Sequence, residues 1–382
     1  MTENVRLGDL IRPSGRRARE DVGLPVYSVT KHRGFVPSRE YFKKQVFAKD
    51  LSDYKVVASG DFAYATIHLD EGSIGVAPED ALVSPMYTVF AADRTVVDTG
   101  YLIRFLKSPI AVSSYSQLGR GTAERRKSIS LEALGRIALR LPPLPDQVRI
   151  SALLDQADDL RKADIAALAL LNELERSYYF KLIGDPTQNP RGWKRRPLSE
   201  LGQVVTGNTP SRSNGDLQNS SIEWIKSTNI VTDLSFLTAA DERLFGDELK
   251  SARIVPAGSV LVTCIAGSAS SIGNASLANR RVAFNQQINA FVPFTYPPRF
   301  ALAHIRAAKS LVQAASTGGM QSLVSKSRFQ SIEIPDPPAE LVAKFEAFSV
   351  ELDVQRGLIR RHAEANDGLF DSLQSWAFRA IK

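Results

Sequence analysis

The side chains best able to do chemistry in this sequence are hydrogen-bonding and basic groups spread over many loops, not a compact catalytic set. His32, His68, His304 and His362 are the only histidines and Cys264 the only cysteine. Their spacing offers neither a tetrahedral zinc set nor a Cys–His nucleophile pair. No G-x-x-x-x-G-K-S/T run is present to cradle phosphates beside magnesium, and no H-E-x-x-H or catalytic-triad signature is supported. No catalytic residue and no metal ligand is therefore assigned, and any catalysis is expected to belong to another chain.

What the residues do suit is contact with a polyanion. Basic clusters occur in loop-like stretches in both halves: Arg16 and Arg17, Lys31, His32 and Arg33, then Arg120, Arg125, Arg126 and Lys127, with Lys194-Arg195-Arg196 and Lys326 later. Such groups would neutralise phosphates and supply salt-dependent affinity without sequence preference. Sequence reading needs side chains with donors and acceptors on loops that can enter a groove. The second half supplies Thr209, Ser211 and Arg212, then Lys226, Ser227 and Asn229, then Ser268 and Ser270, then Gln286 and Gln287, and a turn holding Gly318, Gly319 and Gln321. Ser73, which matches Ser271 in the other half, joins these DNA-binding candidates.

The elements that must position these loops are written twice. Leu139-Arg140-Leu141-Pro142-Pro143-Leu144-Pro145 leads into a long amphipathic helix, and Ile334-Pro335-Asp336-Pro337-Pro338 leads into another 195 positions later. The Asp-Pro-Pro here resembles the start of the D-P-P-Y motif of amino methyltransferases, but Ala339 stands where an aromatic ring would stack on a flipped base. It is read as a turn at a helix start. Around Gly60 and Gly258, Lys55 to Tyr64 and Arg253 to Val262 give the same apolar phrase at an offset of 198, each read as a strand pair about a glycine turn. Leu7-Gly8-Asp9-Leu10 answers Leu198-Ser199-Glu200-Leu201 at 191. A drifting offset is what loop insertions produce between diverged copies, and so long a unit means two domains, not a solenoid array.

Each helix carries apolar residues on alternating steps of three and four. The first, about Asp146 to Ile183, has Ile150, Leu153, Ala157, Leu160, Ala167, Leu171, Leu174 and Tyr178 in one register, with Asp164 the exception, and Gly184 and Pro186 stop it. The second has Leu341, Phe345, Phe348, Leu352, Ile359, Leu369, Leu373 and Trp376, with Gln355, His362 and Asn366 admitted to the stripe. The simplest arrangement packs these two seams on each other as an antiparallel coiled coil, a rod of roughly 50 Å that holds two domains apart. The expected divisions are 1–140 and 187–333 for the domains, with helical regions at 141–186 and 334–382.

Length and composition agree. The 382 residues suit two cores, and the net charge of +7 with a pI near 9.4 favours a polyanionic partner. One cysteine rules out a disulfide framework, and the start Met1-Thr2-Glu3-Asn4-Val5-Arg6 lacks the layout of a signal peptide. A soluble protein of the reducing cytoplasm, with no membrane association, is expected.

Together these features resemble the DNA-specificity (S) subunit of Type I restriction-modification systems. The residues that carry the likeness are the Leu141-to-Gln147 lead-in, the helix ending Phe180-Lys181-Leu182-Ile183-Gly184-Asp185, Gly192-Trp193, the Thr206-to-Ser211 loop and the Ser316-to-Ser322 segment. The resemblance implies an α+β architecture: two tandem α/β target-recognition domains, separated by two long conserved helices forming an antiparallel coiled coil, in a pseudo-twofold internal repeat. It implies that each domain reads one part of a split, asymmetric site in double-stranded DNA. The helices would set the unread gap and dock modification (M) methyltransferase subunits. Restriction (R) subunits would join for cleavage. No cofactor is expected in this chain; S-adenosylmethionine, ATP and magnesium would sit on the partner subunits.

Two departures from the family pattern stand out. Arg12-Pro13-Ser14-Gly15-Arg16-Arg17 replaces the Thr-Gly-Asn-Thr-Pro-Ser loop in the first domain, and Ala339-Glu340-Leu341 replaces Leu144-Pro145-Asp146-Gln147 at the second helix. Two readings of other classes stay open on the residues alone: a self-sufficient DNA methyltransferase or nuclease with unrecognised motifs, and a coiled-coil scaffold that binds protein only.

Overall fold

The computed structural model describes residues 3–19, 23–31, 33–42, 47–118, 128–211, 221–317 and 322–379. The chain divides into two compact units, one of Met1–Lys162 with Ala363–Lys382 and one of Ala163–His362. Two helices, Leu144–Leu182 and Ala339–Ala377, contribute to both.

In the first unit a four-stranded antiparallel sheet runs in the order Ile11–Pro13, Tyr87–Ala92, Phe62–Ala65, Ile74–Val76. In the second the order is Gly202–Thr206, Ile288–Pro293, Val260–Thr263, Ala275–Leu277, again antiparallel. Each sheet is followed by a pair of helices, Thr99–Leu106 with Pro109–Leu118 and Pro298–Ala307 with Lys309–Ala314. A two-stranded ribbon ties the ends of each domain together, Glu3–Arg6 on Ala138–Leu141 and Arg195–Pro197 on Glu333–Pro335. Duplication thus reaches to strand order and register.

The expected strand pairs about Gly60 and Gly258 are corrected by this topology. Lys55–Val57 and Phe62–Ala65 do not pair with each other but belong to different sheets, as do Ile254–Val255 and Val260–Thr263. All four residues of Phe62–Ala65 and of Val260–Thr263 are buried, so both faces of each strand need cover. The chain turns a corner between layers at Gly60 and Gly258, whose φ values of +82° and +89° fall where a side chain is strained.

The two long helices pack on each other, and the contacts run antiparallel. In the second unit Tyr178 meets Phe345 and Phe348, Glu175 meets Ser349 and Arg356, and Asp164 meets His362. In the first unit Arg161 meets Asp367 and lies 4.6 Å from the Phe370 ring centroid. The side chain of Arg356 is only 1% exposed, and it is bonded to Glu175 at 2.7 Å, Asp353 at 3.0 Å, Asn172 at 3.1 Å and the Leu171 carbonyl at 3.3 Å. Arg161 and Arg356 occupy equivalent places in the 195-residue repeat, each beside an aspartate three residues earlier, Asp158 or Asp353.

Five of the sixteen expected apolar seam residues are off by one position. Ile150, Ala157, Phe345 and Leu352 are buried, but Leu153, Leu160, Leu174, Leu369 and Trp376 are 37 to 51% exposed. Their inward neighbours are Leu154, Arg161, Glu175, Phe370 and Ala377. The error is the same in both helices. Counting apolar residues favoured the leucines, whereas the packed flank mixes the apolar Leu154, Phe370 and Ala377 with Arg161 and Glu175, whose hydrogen bonds compensate their burial.

The helix ends are anchored inside the domains. Phe378 packs against Tyr101 and Phe105 in the core of the first unit. In the second, Tyr179 is hydrogen-bonded to His304 Nδ1, and His304 Nε2 lies 2.8 Å from the Pro335 carbonyl. A carbonyl can only accept, so Nε2 carries the proton and Nδ1 accepts from the tyrosine. Burial lowers the His304 pKa to about 4. An unfolded histidine titrates near about 6.5, so as pH falls the unfolded chain takes up the proton first, and stability present above 6.5 is lost progressively toward 4. Between pH 7.5 and 5 this group alone should cost about 2 kcal/mol. His304→Gln, which keeps both hydrogen bonds without titrating, should show a flatter melting temperature over that range. Identical pH profiles for the two proteins would refute the assignment.

Candidate nucleic-acid interface

The best-formed polar surface lies on the second domain, where three chain segments meet at one sheet edge. Gly207 N–H donates to the Ile288 carbonyl at 3.1 Å and Asn208 N–H to the Phe284 carbonyl, also at 3.1 Å. A Cβ on Gly207 would collide with the carbonyl oxygens of Phe284 and Asn285, which is why glycine is needed there. Asn208 then locks the loop: its amide donates to the Ser251 carbonyl at 2.9 Å and accepts from Arg253 N–H at 2.8 Å.

So clamped, the loop sets Thr209 against the turn 285–287. Thr209 Oγ1 donates to Gln286 Oε1 at 2.5 Å, and both residues are exposed, as is Ser211. Behind them Ser227 Oγ donates to Gln287 Oε1 at 3.2 Å, and the buried Asn285 amide donates to the same oxygen at 3.1 Å. Thr209, Gln286, Gln287 and Ser227 therefore form one hydrogen-bonding array, held by backbone pairing of Cys264 and Ile265 N–H to the Gln287 carbonyl. Trp224 belongs to the same edge, since its indole N–H donates to the Asn208 carbonyl at 3.2 Å. Sequence reading missed it; its place on the strand Ile222–Ile225, two residues before Lys226, was the available signal.

Other candidates are placed differently. Lys226 pairs with Glu242 and lies 5.2 Å from the Trp224 ring, so its charge is already countered. Every polar atom of the Asn229 amide is used within the domain: Oδ1 accepts from Lys226 N–H, and Nδ2 donates to the Ala239 carbonyl and Thr238. Asn229 thus braces its loop. Ser73 is 7% exposed and closes a turn, its carbonyl accepting from Ala65 N–H at 3.0 Å, so it too is withdrawn as a base contact. Arg195 donates to the Pro186 and Thr187 carbonyls, and Arg196 pairs with Glu200 and Asp336. These two are structural cations.

Ser268 and Ser270 are exposed and bonded to each other at 2.6 Å on a tight turn, and Lys326 is exposed at the start of the helix Lys326–Gln330. On the first domain Arg16 and Arg17 form an exposed edge strand, with Arg17 3.6 Å from Asp53. Lys31 is exposed at the tip of the hairpin Tyr27–Thr30 and Gly34–Pro37, and Arg33 lies 5.7 Å from the Tyr41 ring. His32, Arg120, Arg125, Arg126, Lys127, Arg212, Gly318, Gly319 and Gln321 lie outside the described residues.

Cys264 is buried and its thiol is pushed up to about 12 by burial, which removes it as a nucleophile. No group of three or more potential metal ligands occurs among the described residues. No described helix is long and apolar enough to cross a membrane. A cleft of about 750 Å³ in the second unit is lined by Arg299 and Arg306, among others. Arg299 is paired with Asp353 and Arg306 donates to the Ala275 carbonyl, so its cations are engaged. The carboxylate of Glu223 is held below its usual range by the Arg280 hydrogen bond, an ion pair that supports the edge from within.

Residues 190–344 match the family described as Type I restriction modification DNA specificity domain. The chain is similar to the Type I restriction enzyme HindI specificity subunit of Haemophilus influenzae, 32% identical over 166 residues, which is 41% of this chain and 34% of the relative. The match thus spans about a third of that relative's length. Among solved structures, the fold is similar to a chain described under complex assembly and conformational transition of the type I R-M system, at TM-score 0.60 and 17% identity, covering 99% of this chain and 98% of that one. It is also similar to the Type-I restriction-modification system S subunit from M. genitalium, at TM-score 0.57 and 11% identity, covering 100% and 97%.

Proposed function

We propose, from the premise that this chain belongs to the specificity-subunit family of Type I restriction-modification systems, that it is the non-catalytic DNA-reading subunit of such a complex. It reads a bipartite, asymmetric site and directs methylation and restriction by partner subunits. The observation that carries the reading is the duplicated domain with an exposed, pre-organised hydrogen-bonding array, Thr209 with Gln286 and Ser227 with Gln287, beside basic loops. Donors and acceptors held in place by a second shell of hydrogen bonds lose little entropy on meeting a base edge.

In this reading residues 1–140 and 187–333 each recognise one half-site, and the helical regions 141–186 and 334–382 set the gap and dock the M subunits. The outward row of Leu153, Leu160 and Leu174 supports the docking role, because leucines seven and then fourteen residues apart share one face of the helix surface and favour an apolar partner. S-adenosylmethionine belongs to the M subunits, ATP and magnesium to the R subunits, and the cytoplasm is the place of action. Exposed Arg16, Arg17, Lys31, Arg33 and Lys326 would neutralise phosphates, with the basic run Arg120 to Lys127 as a further source of charge.

Methylome sequencing of cells carrying this chain with its M subunit should reveal one split motif with a fixed gap, absent when this chain is deleted. Methylation at a continuous motif, or methylation by this chain alone, would favour the self-sufficient enzyme instead. No methylation together with salt-insensitive indifference to DNA would favour a protein scaffold.

A further inference from the structure

The turn between Ala81–Val83 and Tyr87–Ala92 in the first domain, and between Val282–Phe284 and Ile288–Pro293 in the second, is one turn in two chemistries. In the first domain Tyr87 pairs with Ala65 and Phe90 with Phe62; in the second Ile288 pairs with Thr263 and Phe291 with Val260. The preceding strands agree, since Val57 faces Ala81 as Val255 faces Val282. The following chain agrees as well: Ile129 N–H donates to the Thr66 carbonyl as Val324 N–H donates to that of Cys264. Ser84-Pro85-Met86 therefore stands where the second domain places Asn285-Gln286-Gln287.

The two turns differ in what they can recognise. Gln286 and Gln287 offer amides, but Pro85 has no side-chain polar group, and Ser84 Oγ is engaged by Met86 N–H at 3.3 Å. Met86 itself is 65% exposed, and its carbonyl accepts from Thr66 Oγ1 at 3.2 Å, which fixes the backbone from which the thioether projects. A lone exposed apolar side chain is ordinary on a protein surface. The register is what makes this one informative. In the major groove only one feature of a base pair is read without a hydrogen bond, the C5 methyl group of thymine. An unbranched, polarizable side chain can follow that methyl as the groove is entered.

We infer that Met86 is a specificity-determining residue of the first domain, reading a thymine methyl group in its half-site by apolar contact. The inference rests on the DNA-reading function proposed above. It is tested with the assembled complex of this chain and its M subunits, bound to duplexes in which each thymidine of the split motif is replaced in turn by deoxyuridine, which removes only the methyl. At one position in one half-site the replacement should weaken binding about fourfold, the worth of one buried methyl. In M86A the thymidine-to-deoxyuridine ratio at that position should fall to about one, while the other half-site responds as before. Met86→Leu should restore discrimination, and it keeps the test open if the alanine variant binds too weakly to measure. A ratio unchanged in M86A, or no thymidine in either half-site responding, overturns the inference. If the complex methylates no split motif at all, the DNA-reading function itself fails; a split motif indifferent to Met86 removes only this residue's role.

Discussion

Inserting one heptad after Ala163 and another after His362 is expected to widen the gap between half-sites by about three base pairs and to leave both half-site sequences unchanged. Seven helical residues add about 10 Å at 1.5 Å each, and base pairs are spaced by about 3.4 Å. Both insertions are needed because the helices run antiparallel: Asp164 meets His362 and Arg161 meets Asp367, so lengthening one alone would slide every later pair out of register. A whole heptad also preserves the inward stripe, whereas three or four residues would rotate one flank to solvent. Methylome sequencing reads the result directly. Half-site sequences that change, or a gap that does not, would remove the helices from their spacing role.

Arg356→Ala should be a strongly damaging substitution in the second unit, lowering its stability by about 3–5 kcal/mol, because it leaves the inward Glu175 without its cation while Asp353 keeps only Arg299. In a unit of this size that corresponds to a melting temperature lower by about 10 °C. Arg161→Ala, at the equivalent position but with a side chain 35% exposed, should cost only about 1 kcal/mol. The double variant Arg356→Leu with Glu175→Leu should recover much of the loss, since replacing a buried ion pair by apolar groups is often neutral. Thermal melts of the three proteins decide it, and an Arg356→Ala melt within about 2 °C of the parent would show that the charge is dispensable.

That the seam turns on Arg356 explains where sequence reading stopped. Periodicity finds a helix because apolar residues recur on one face, and it placed the helices Leu144–Leu182 and Ala339–Ala377 to within a few residues. It ranked Leu153 above Leu154 and Leu369 above Phe370 because each continued an apolar rhythm. The folded pair instead turns inward the flank whose polar members, Arg161, Glu175 and Arg356, can satisfy one another across the interface. The leucines are left on the outer face.

A similar limit applies to the loops. Residue type marked Asn229 and Ser73 as readers as readily as Gln286, since all three carry hydrogen-bonding groups. Folding consumed the first two, one by the carbonyl of Ala239 and the other by burial, and left Gln286 exposed on a braced turn. Met86 carried no polar signal at all and became visible only through strand register.

By itself the sequence determined that the chain is duplicated and that two long helices follow the two domains. These follow from spacing, which survives in one dimension. Only the tertiary structure decided which helix flank faces inward, which cations are already neutralised, and that turns 84–86 and 285–287 are the same place in two domains. Each of those depends on a partner distant in the chain, and hydrogen-bond satisfaction between distant residues leaves no period for a sequence to display.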